Sequence, residues 1–502
     1  MNDLPDATAS TAKNRSSRIT SGVIWSWFWI GIGPVMGVVA WSILDRFVPA
    51  APNVAKSTVL IGVWMACWWM TEAVILEATA LLPIVLLPLF GVSKIHEATS
   101  PYADPSIFLY LGGFCIAIAF EKTGLHRRGA IYGLSLFGTS PSAIVAGFML
   151  STMLLSFWIS NTATTLLMLP LVRSVLIIAS EGDDSPNRRN TRNFGIALLL
   201  GVAYAASIGG MGTLVGTPTN VFFRSYMEQQ GTIIGFLEWM YEVIPCVLLI
   251  MTICWFWLCK VLFVSKPITA LNSTWIRNER ASLPKLSIGE GWVFFVFVMA
   301  GLSWTFRELL SQISIVRFIF PSIVNIHDAM IAMTAMVLLL TIPIGKENER
   351  KPILAWHDMD RLPWGIILLL GGGLSLASAV QSSGLGVIIA DSAQHLKGIP
   401  IGISLLVIIA MVVFLSELAS NVATATTVIP ILAEIARGLG IEVSALTIPA
   451  VLAASCGFML PVATPPNAIV FGEKRISSRD MMRAGFGLDV VCIFVIWLIW
   501  YP

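Results

Sequence analysis

Long apolar stretches separated by short polar ones run the length of the chain, at about 22–44, 57–90, 106–120, 129–157, 194–215, 236–265, 288–306, 327–344, 364–380, 400–415, 445–470 and 484–500. Crossing a bilayer takes about 20 helical residues, and most stretches reach that length. The pattern predicts an all-α polytopic membrane protein, because in lipid a helix pairs every backbone N–H and C=O within its own segment. Several stretches do not fit one simple span. Glu72, Glu77, Pro83 and Pro88 interrupt 57–90, which reads either as one long tilted helix or as two short ones.

Polar residues inside the apolar stretches recur. Ser160-Asn161-Thr162-Ala163-Thr164 returns as Ser420-Asn421-Val422-Ala423-Thr424, and the eleven positions up to Pro170 and Pro430 align without gaps, five of them identical. The offset is 260 residues (421 − 161), and it also carries Gly112 of Leu111-Gly112-Gly113 onto Gly372 of Gly371-Gly372-Gly373. A second motif, Gly216-Thr217-Pro218-Thr219-Asn220, returns as Ala463-Thr464-Pro465-Pro466-Asn467. Asn161 and Asn220 are 59 residues apart, Asn421 and Asn467 46; the difference of 13 matches the polar segment Glu181 to Asn193, read as a loop inserted in the first half. The repeat divides the chain into halves at about 22–265 and 288–502, joined by a polar linker.

Composition agrees with the pattern: 56% hydrophobic residues, 12% charged and a mean hydropathy of +0.82, against about 25% charged in soluble domains. A net charge of +2 leaves no basic face for nucleic acid. Lys13, Arg15 and Arg18 precede the first apolar stretch with no small-residue cleavage site after it, so an uncleaved first helix with a cytoplasmic N-terminus is expected. The other basic groups (Lys122, Arg127, Arg128; Arg188, Arg189, Arg192; Arg277, Arg280, Lys285; Lys346, Arg350, Lys351) do not fall on one side when every stretch is counted as a span. Re-entrant hairpins, which leave by the face they enter, would account for the mismatch. The seven cysteines lie in or beside apolar stretches without a Cys-x-x-Cys pair and are read as packing residues; the five histidines are scattered, which argues against a zinc centre. The tryptophans at 25, 29, 64, 68, 69, 497 and 500 are read as interfacial anchors or lipid-facing bulk.

Duplicated, interrupted hydrophobic segments point to a secondary transporter, whose substrate and ions bind near the bilayer midplane. Pro218, Pro465 and Pro466 break helical hydrogen bonding, so the Thr-Pro motifs read as unwound links between half-helices. Asn amides, Ser and Thr hydroxyls and half-helix N-termini can donate to a dianion without a fixed charge that would stall release. Hydroxyls, Asn carbonyls and freed backbone carbonyls offer sodium the opposite polarity. Such residues also join helices by hydrogen bonds, but repetition of four motifs in one order favours a ligand site. Among carboxylates in or near apolar stretches (Glu72, Glu77, Glu121, Glu308, Glu417, Asp489), Glu417 is the sharpest. It would repel a dianion, and its counterpart is Phe157, so a structural or ion-side role is expected.

The paired Ser-Asn-Thr/Val and Thr-Pro-x-Asn motifs, in this order from about residue 22 onward, resemble the divalent anion/sodium symporter family. The resemblance implies two inverted repeats with re-entrant hairpins and broken helices, an elevator-type mechanism and a homodimer in the plasma membrane. The polar residues 1–21 are expected to form a disordered cytoplasmic N-terminus and the polar stretch 266–287 a linker, while the resemblance implies a scaffold domain at 22–132 and 288–399 and a transport domain at 133–265 and 400–502. A first sodium site would use Ser156, Ser160, Asn161 and Gly216, and a second Ser416, Ser420, Asn421 and Ala463. Substrate carboxylates would meet Asn161, Thr162, Thr217, Asn421 and Thr464, with Pro218 and Pro465 at the same breaks and Val422 as an apolar wall. Two departures from the family pattern are Val422, which removes a hydroxyl from the second tip, and Thr219, where a second proline is frequent.

The expected activity is sodium-coupled uptake of a C4 dicarboxylate such as succinate, malate or fumarate. A sodium-independent dicarboxylate or citrate exchanger of the same fold, or a sulfate symporter, are the alternatives. Sodium enters as co-transported ion. An intramembrane enzyme would need a nucleophile with its base, or a metal cluster, and the sequence shows neither; a passive channel would not concentrate substrate.

Overall fold

A computed structural model describes residues 7–134, 137–180, 188–268, 271, 277, 280–319, 321–345 and 351–501. Among them the only strands are a two-residue antiparallel pairing, Pro343–Ile344 with Lys351–Pro352. Among the described residues eleven helices are long and apolar enough to cross a membrane.

The first half begins with α1 (Ala7–Phe47) and α2 (Asn53–Thr71). They run antiparallel: Lys56 pairs with Asp45 at 2.6 Å near their junction, and Trp68 donates to the Ile30 carbonyl farther along. Three short helices follow, α3 (Leu76–Ala80), α4 (Leu82–Leu89) and α5 (Ile95–Thr99), so the stretch 57–90 is broken where its glutamates and prolines lie. Then come α6 (Pro105–Thr123), α7 (Leu125–Leu134), the hairpin α8 (Pro141–Ser156) and α9 (Asn161–Ser180), the interrupted helix α10 (Arg188–Gly210) and α11 (Pro218–Gln229), and α12 (Phe236–Phe256).

The second half opens with α13 (Ile288–Gln312), α14 (Ser314–Ile319) and α15 (Asp328–Thr341). It then repeats the series from α6 element by element: α16 (Trp364–Ser382), α17 (Leu385–Ala393), the hairpin α18 (Ile401–Leu418) and α19 (Asn421–Leu439), the interrupted helix α20 (Val443–Ala454) and α21 (Pro465–Phe471), and α22 (Ser478–Ile499). The correspondence reaches the backbone. Gly124 before α7 (φ 82°) and Gly384 before α17 (φ 79°) are 260 positions apart (384 − 124), and both take the left-handed conformation that glycine adopts without strain. At Gly112 a side chain would strike the backbone of Ala332 on α15, and at Gly372 that of Ala80 on α3, which explains why this pair recurs.

Side-chain contacts mark the two ends of the bundle. At one end Lys122 pairs with Asp358 (2.6 Å), Arg128 with Glu290 (3.0 Å) and Arg192 with Asp480 (2.8 Å), while the Asn190 amide donates to the Lys266 carbonyl (3.0 Å). Burial works to raise the Asp358 carboxyl, but hydrogen bonds from Lys122 and the Ala355 N–H outweigh it and hold the group below the ordinary carboxylate range. These contacts gather the segments bearing the basic groups onto one face; Lys346 and Arg350 lie outside the described residues. The hairpins return the chain to the face it left, which resolves the failed span count. At the opposite end Glu228 meets His327 (3.1 Å) and the Trp500 indole donates to Glu242 (3.3 Å).

Four expectations change. The stretch 129–157 is two helices, α7 and α8, rather than one span. The thirteen extra residues of the first half mostly lengthen a helix, α10 having 23 residues against 12 in α20, since Arg188 to Asn193 are helical; 181–187 lie outside the described residues. The helix α1 starts at Ala7, inside the segment expected to lack structure, as no proline interrupts it before Pro34. Trp69 is fully buried and donates to the Leu76 carbonyl, so it packs the bundle instead of facing lipid. Six of the seven cysteines are buried and all are free thiols.

Candidate functional site

Each hairpin tip is a short bend between two helices, and the two tips have the same geometry. Ser156 ends α8 with its hydroxyl 2.9 Å from Asn161 Oδ1 and 2.6 Å from the Ala206 carbonyl; Ser416, near the end of α18, lies 2.8 Å from Asn421 Oδ1 and 2.6 Å from the Ala454 carbonyl. A hydroxyl has one proton. It therefore satisfies one of these two oxygens at a time, and each tip keeps surplus lone pairs of the kind that bind a cation. Ser160 and Ser420 precede the tip helices: Ser160 Oγ accepts from the Ala163 N–H (3.3 Å), whereas Ser420 makes no side-chain cap. Asn161, Thr162 and Asn421 are half-buried and Val422 is buried.

The breaks also match. Thr217 (φ −142°, ψ 146°) and Thr464 (φ −141°, ψ 148°) are extended residues, each followed by a proline that opens the next half-helix. Proline fits that position because its missing N–H would be unpaired there anyway. A side chain at Gly216 would collide with the Gly210 and Ser156 carbonyls, whereas the methyl of Ala463 is accommodated beside Gly457. The sodium ligand residues inferred from the motifs are thus together in each half: Ser156, Ser160, Asn161 and Gly216 around the first tip, Ser416, Ser420, Asn421 and Ala463 around the second.

The four motifs converge. Helix α9 of the first tip packs on α21 beyond the second break, and α19 of the second tip packs on α11 beyond the first. Thr219, in place of a frequent proline, shares a hydrogen bond with Ser455 (3.0 Å) and so ties the first break to the approach of the second; the Tyr204 hydroxyl donates to the Phe458 carbonyl (3.0 Å) across the same seam. Thr162, Thr217, Val422 and Thr464 belong to these same tips and breaks.

Glu417 accepts the N–H groups of Phe458, Met459 (2.7 Å) and Leu460 (3.0 Å), so it holds the unwound segment of the second break, as its expected structural role requires. Its counterpart Phe157 does the corresponding work by packing: a side chain at Gly212 would strike the Phe157 ring, and the Thr213 hydroxyl donates to the Phe157 carbonyl. Two residues quoted in the motifs but given no role prove to be central. Asn220 and Asn467, both fully buried, donate their amides to backbone carbonyls of the breaks. Their place at the end of each motif was the available signal, and a sequence does not show which carbonyls come within reach.

A cavity of about 550 Å³ lies elsewhere, between α2, α16, α17 and α19. Its walls are mostly aliphatic and it touches neither tip, so it offers an anion little. Among the described residues no three His, Cys, Asp or Glu side chains are grouped to hold a metal ion.

A family model described as the sodium:sulfate symporter transmembrane region matches residues 36–501. The sodium-dependent dicarboxylate transporter SdcS of Staphylococcus saprophyticus is 38% identical over 446 residues, covering 88% of this chain and 84% of that protein. SdcS of Staphylococcus aureus is 38% identical over 445 residues with the same coverage. Among solved structures, the YdaH transporter of Alcanivorax borkumensis matches with a TM-score of 0.52 at 12% identity, over 88% of this chain and 97% of that one. MtrF of Neisseria gonorrhoeae matches with a TM-score of 0.51 at 12% identity, over 92% and 96%. At that identity the structural matches speak for the fold alone.

Proposed function

The chain belongs to the sodium:sulfate symporter family, and on that premise we propose that it couples sodium influx to uptake of a C4 dicarboxylate such as succinate, malate or fumarate. It is a multi-pass membrane transporter and not an enzyme. The observation that carries the reading is the twofold arrangement of Ser Oγ, Asn Oδ1 and a backbone carbonyl at the tips. Each set holds one sodium ion, through Ser156, Ser160, Asn161 and Gly216 or through Ser416, Ser420, Asn421 and Ala463. The dianion lies between them, its carboxylates taking donors from Asn161, Thr162, Thr217, Asn421 and Thr464. The names of the staphylococcal relatives support sodium and dicarboxylate.

Two sodium ions with one dianion move no net charge; a third would add about 2.3 kcal/mol of drive per 100 mV. The tips and breaks, 133–265 and 400–502, form the moving part of an elevator against a scaffold of 22–132 and 288–399 that meets its copy in a homodimer. In proteoliposomes, an inward sodium gradient is expected to concentrate labelled succinate, and potassium in its place to give only leak. Uptake indifferent to sodium but driven by internal dicarboxylate would replace symport by exchange. The family's name keeps sulfate in view, and competition by sulfate but not by succinate would shift the substrate assignment.

Val422 walls the second tip where Thr162 supplies a hydroxyl to the first. Val422→Thr is expected to change the ranking of succinate, citrate and sulfate as competitors by several-fold while leaving expression unchanged, since one hydrogen bond is worth about 0.5–1.5 kcal/mol. An unchanged ranking would remove Val422 from the substrate wall.

A further inference from the structure

The carbonyls of an unwound segment inside a membrane need partners, and free ones reorient. In both breaks the partner is the Asn that ends the motif. Asn220 Nδ2 donates to the carbonyls of Gly210 (3.2 Å), Met211 (3.0 Å) and Thr213 (2.8 Å). Asn467 Nδ2 donates to Gly457 (3.2 Å) and Leu460 (3.0 Å). The spacings are identical: ten residues back to Gly210 and to Gly457, and seven back to Thr213 and to Leu460. Such agreement between halves that differ in the length of α10 and α20 marks a constraint on the break itself.

The clamped residues lie against the ion ligands. A side chain at Gly210 would strike Asn161 Oδ1, and one at Gly457 would come within 3.6 Å of Asn421 Oδ1 and 3.3 Å of the Ser416 carbonyl. The Gly210 carbonyl in turn lies against Gly216, beside the Ser156 carbonyl. Moreover, Asn220 Oδ1 and Asn467 Oδ1 are buried without a hydrogen-bond partner among the described residues, so each side chain is kept for its donors and carries an unspent acceptor.

We infer that Asn220 and Asn467 are positioning residues for the two cation sites: each amide fixes the break carbonyls so that the oxygens around its tip keep the spacing sodium requires. The inference rests on the proposed sodium-coupled function and adds to it residues outside the tip and break ligands already assigned. An aspartate there would place acceptor against acceptor, and a leucine would leave the carbonyls unpaired.

The test uses full-length purified protein in detergent, with the thermal midpoint followed as sodium chloride replaces choline chloride at constant ionic strength. Wild-type protein is expected to be stabilised by sodium. Asn220→Ser and Asn467→Ser are each expected to raise the half-maximal sodium concentration by about tenfold or more, the range seen when groups orienting metal ligands are removed. Succinate affinity at saturating sodium should stay within a few-fold. Trp69→Phe, a buried change away from both breaks that removes the indole hydrogen bond to the Leu76 carbonyl, should lower the midpoint without moving the sodium dependence. Lower midpoints in the Ser variants with an unmoved sodium dependence would overturn the positioning role and leave the transport reading standing. A wild-type midpoint that ignores sodium would overturn both. If the Ser variants do not fold, Asn220→Gln and Asn467→Gln, which keep the amide but displace it by one methylene, give the same comparison.

Discussion

Replacing Asn161 or Asn421 by alanine is expected to reduce sodium-driven succinate uptake by about 100-fold or more in either variant, with little loss of folded protein. Each Asn serves two ligands at once in the proposed site, its Oδ1 beside a Ser hydroxyl for the cation and its amide N–H for the anion. Hydrogen bonds to charged groups contribute about 1.5–3 kcal/mol each, and each 1.4 kcal/mol is tenfold in an equilibrium, so losing both reaches that magnitude. The fold should tolerate the change. Both residues are half-buried first residues of helices whose preceding Ser160 and Ser420 remain, and alanine is the best helix former. Uptake in proteoliposomes, normalised to protein recovered as a monodisperse peak, checks both statements. Retained sodium-dependent uptake in both variants would refute the site.

The second large effect is on stability. Asp328→Ala is expected to cost about 3–5 kcal/mol, as breaking a buried ion pair does by leaving the partner charge unpaired. Arg224 on α11 and Asp328 on α15 are almost completely shielded from solvent and 2.8 Å apart, and Arg307 of α13 approaches the other carboxylate oxygen at 3.2 Å. Without the carboxylate, the two guanidinium groups lose the acceptor that brings them together. The loss should appear as a lower thermal midpoint and poor recovery after solubilisation. Asp328→Ala combined with Arg224→Met should recover part of it, because the pair is coupled and its energies do not add. A single variant as stable as wild type would show that the pair contributes little. The ion pair also anchors α11, whose first turn follows the first break, to helices of the second half.

Most of this architecture could be read from the chain. The 260-residue offset located both tips and the glycine pair, because the repeat keeps its register that far, and the Thr-Pro-x-Asn motif located both breaks, 247 residues apart (464 − 217), because the chemistry of Thr, Pro and Asn survives the insertion between them. The seven-helix extent of the repeat was less visible: Gly124 and Gly384 share the offset, but a lone glycine between apolar stretches does not announce a left-handed turn. Polar segments misled where tertiary packing extended a helix, as from Arg188 to Asn193 in α10. Contacts across great sequence distance were out of reach. Arg224 with Asp328, Thr219 with Ser455, and Glu417 with the N–H groups of Phe458, Met459 and Leu460 depend on how helices pack, which no local pattern encodes.

Calorimetric titration of succinate into the purified wild-type protein, once in sodium chloride and once in choline chloride, bears most directly on a dianion site completed by sodium at paired tips. Saturable heat in sodium, absent in choline and absent in Asn161→Ala and Asn421→Ala, is the expected result. Equal heats with and without sodium, or full binding by both alanine variants, would contradict it.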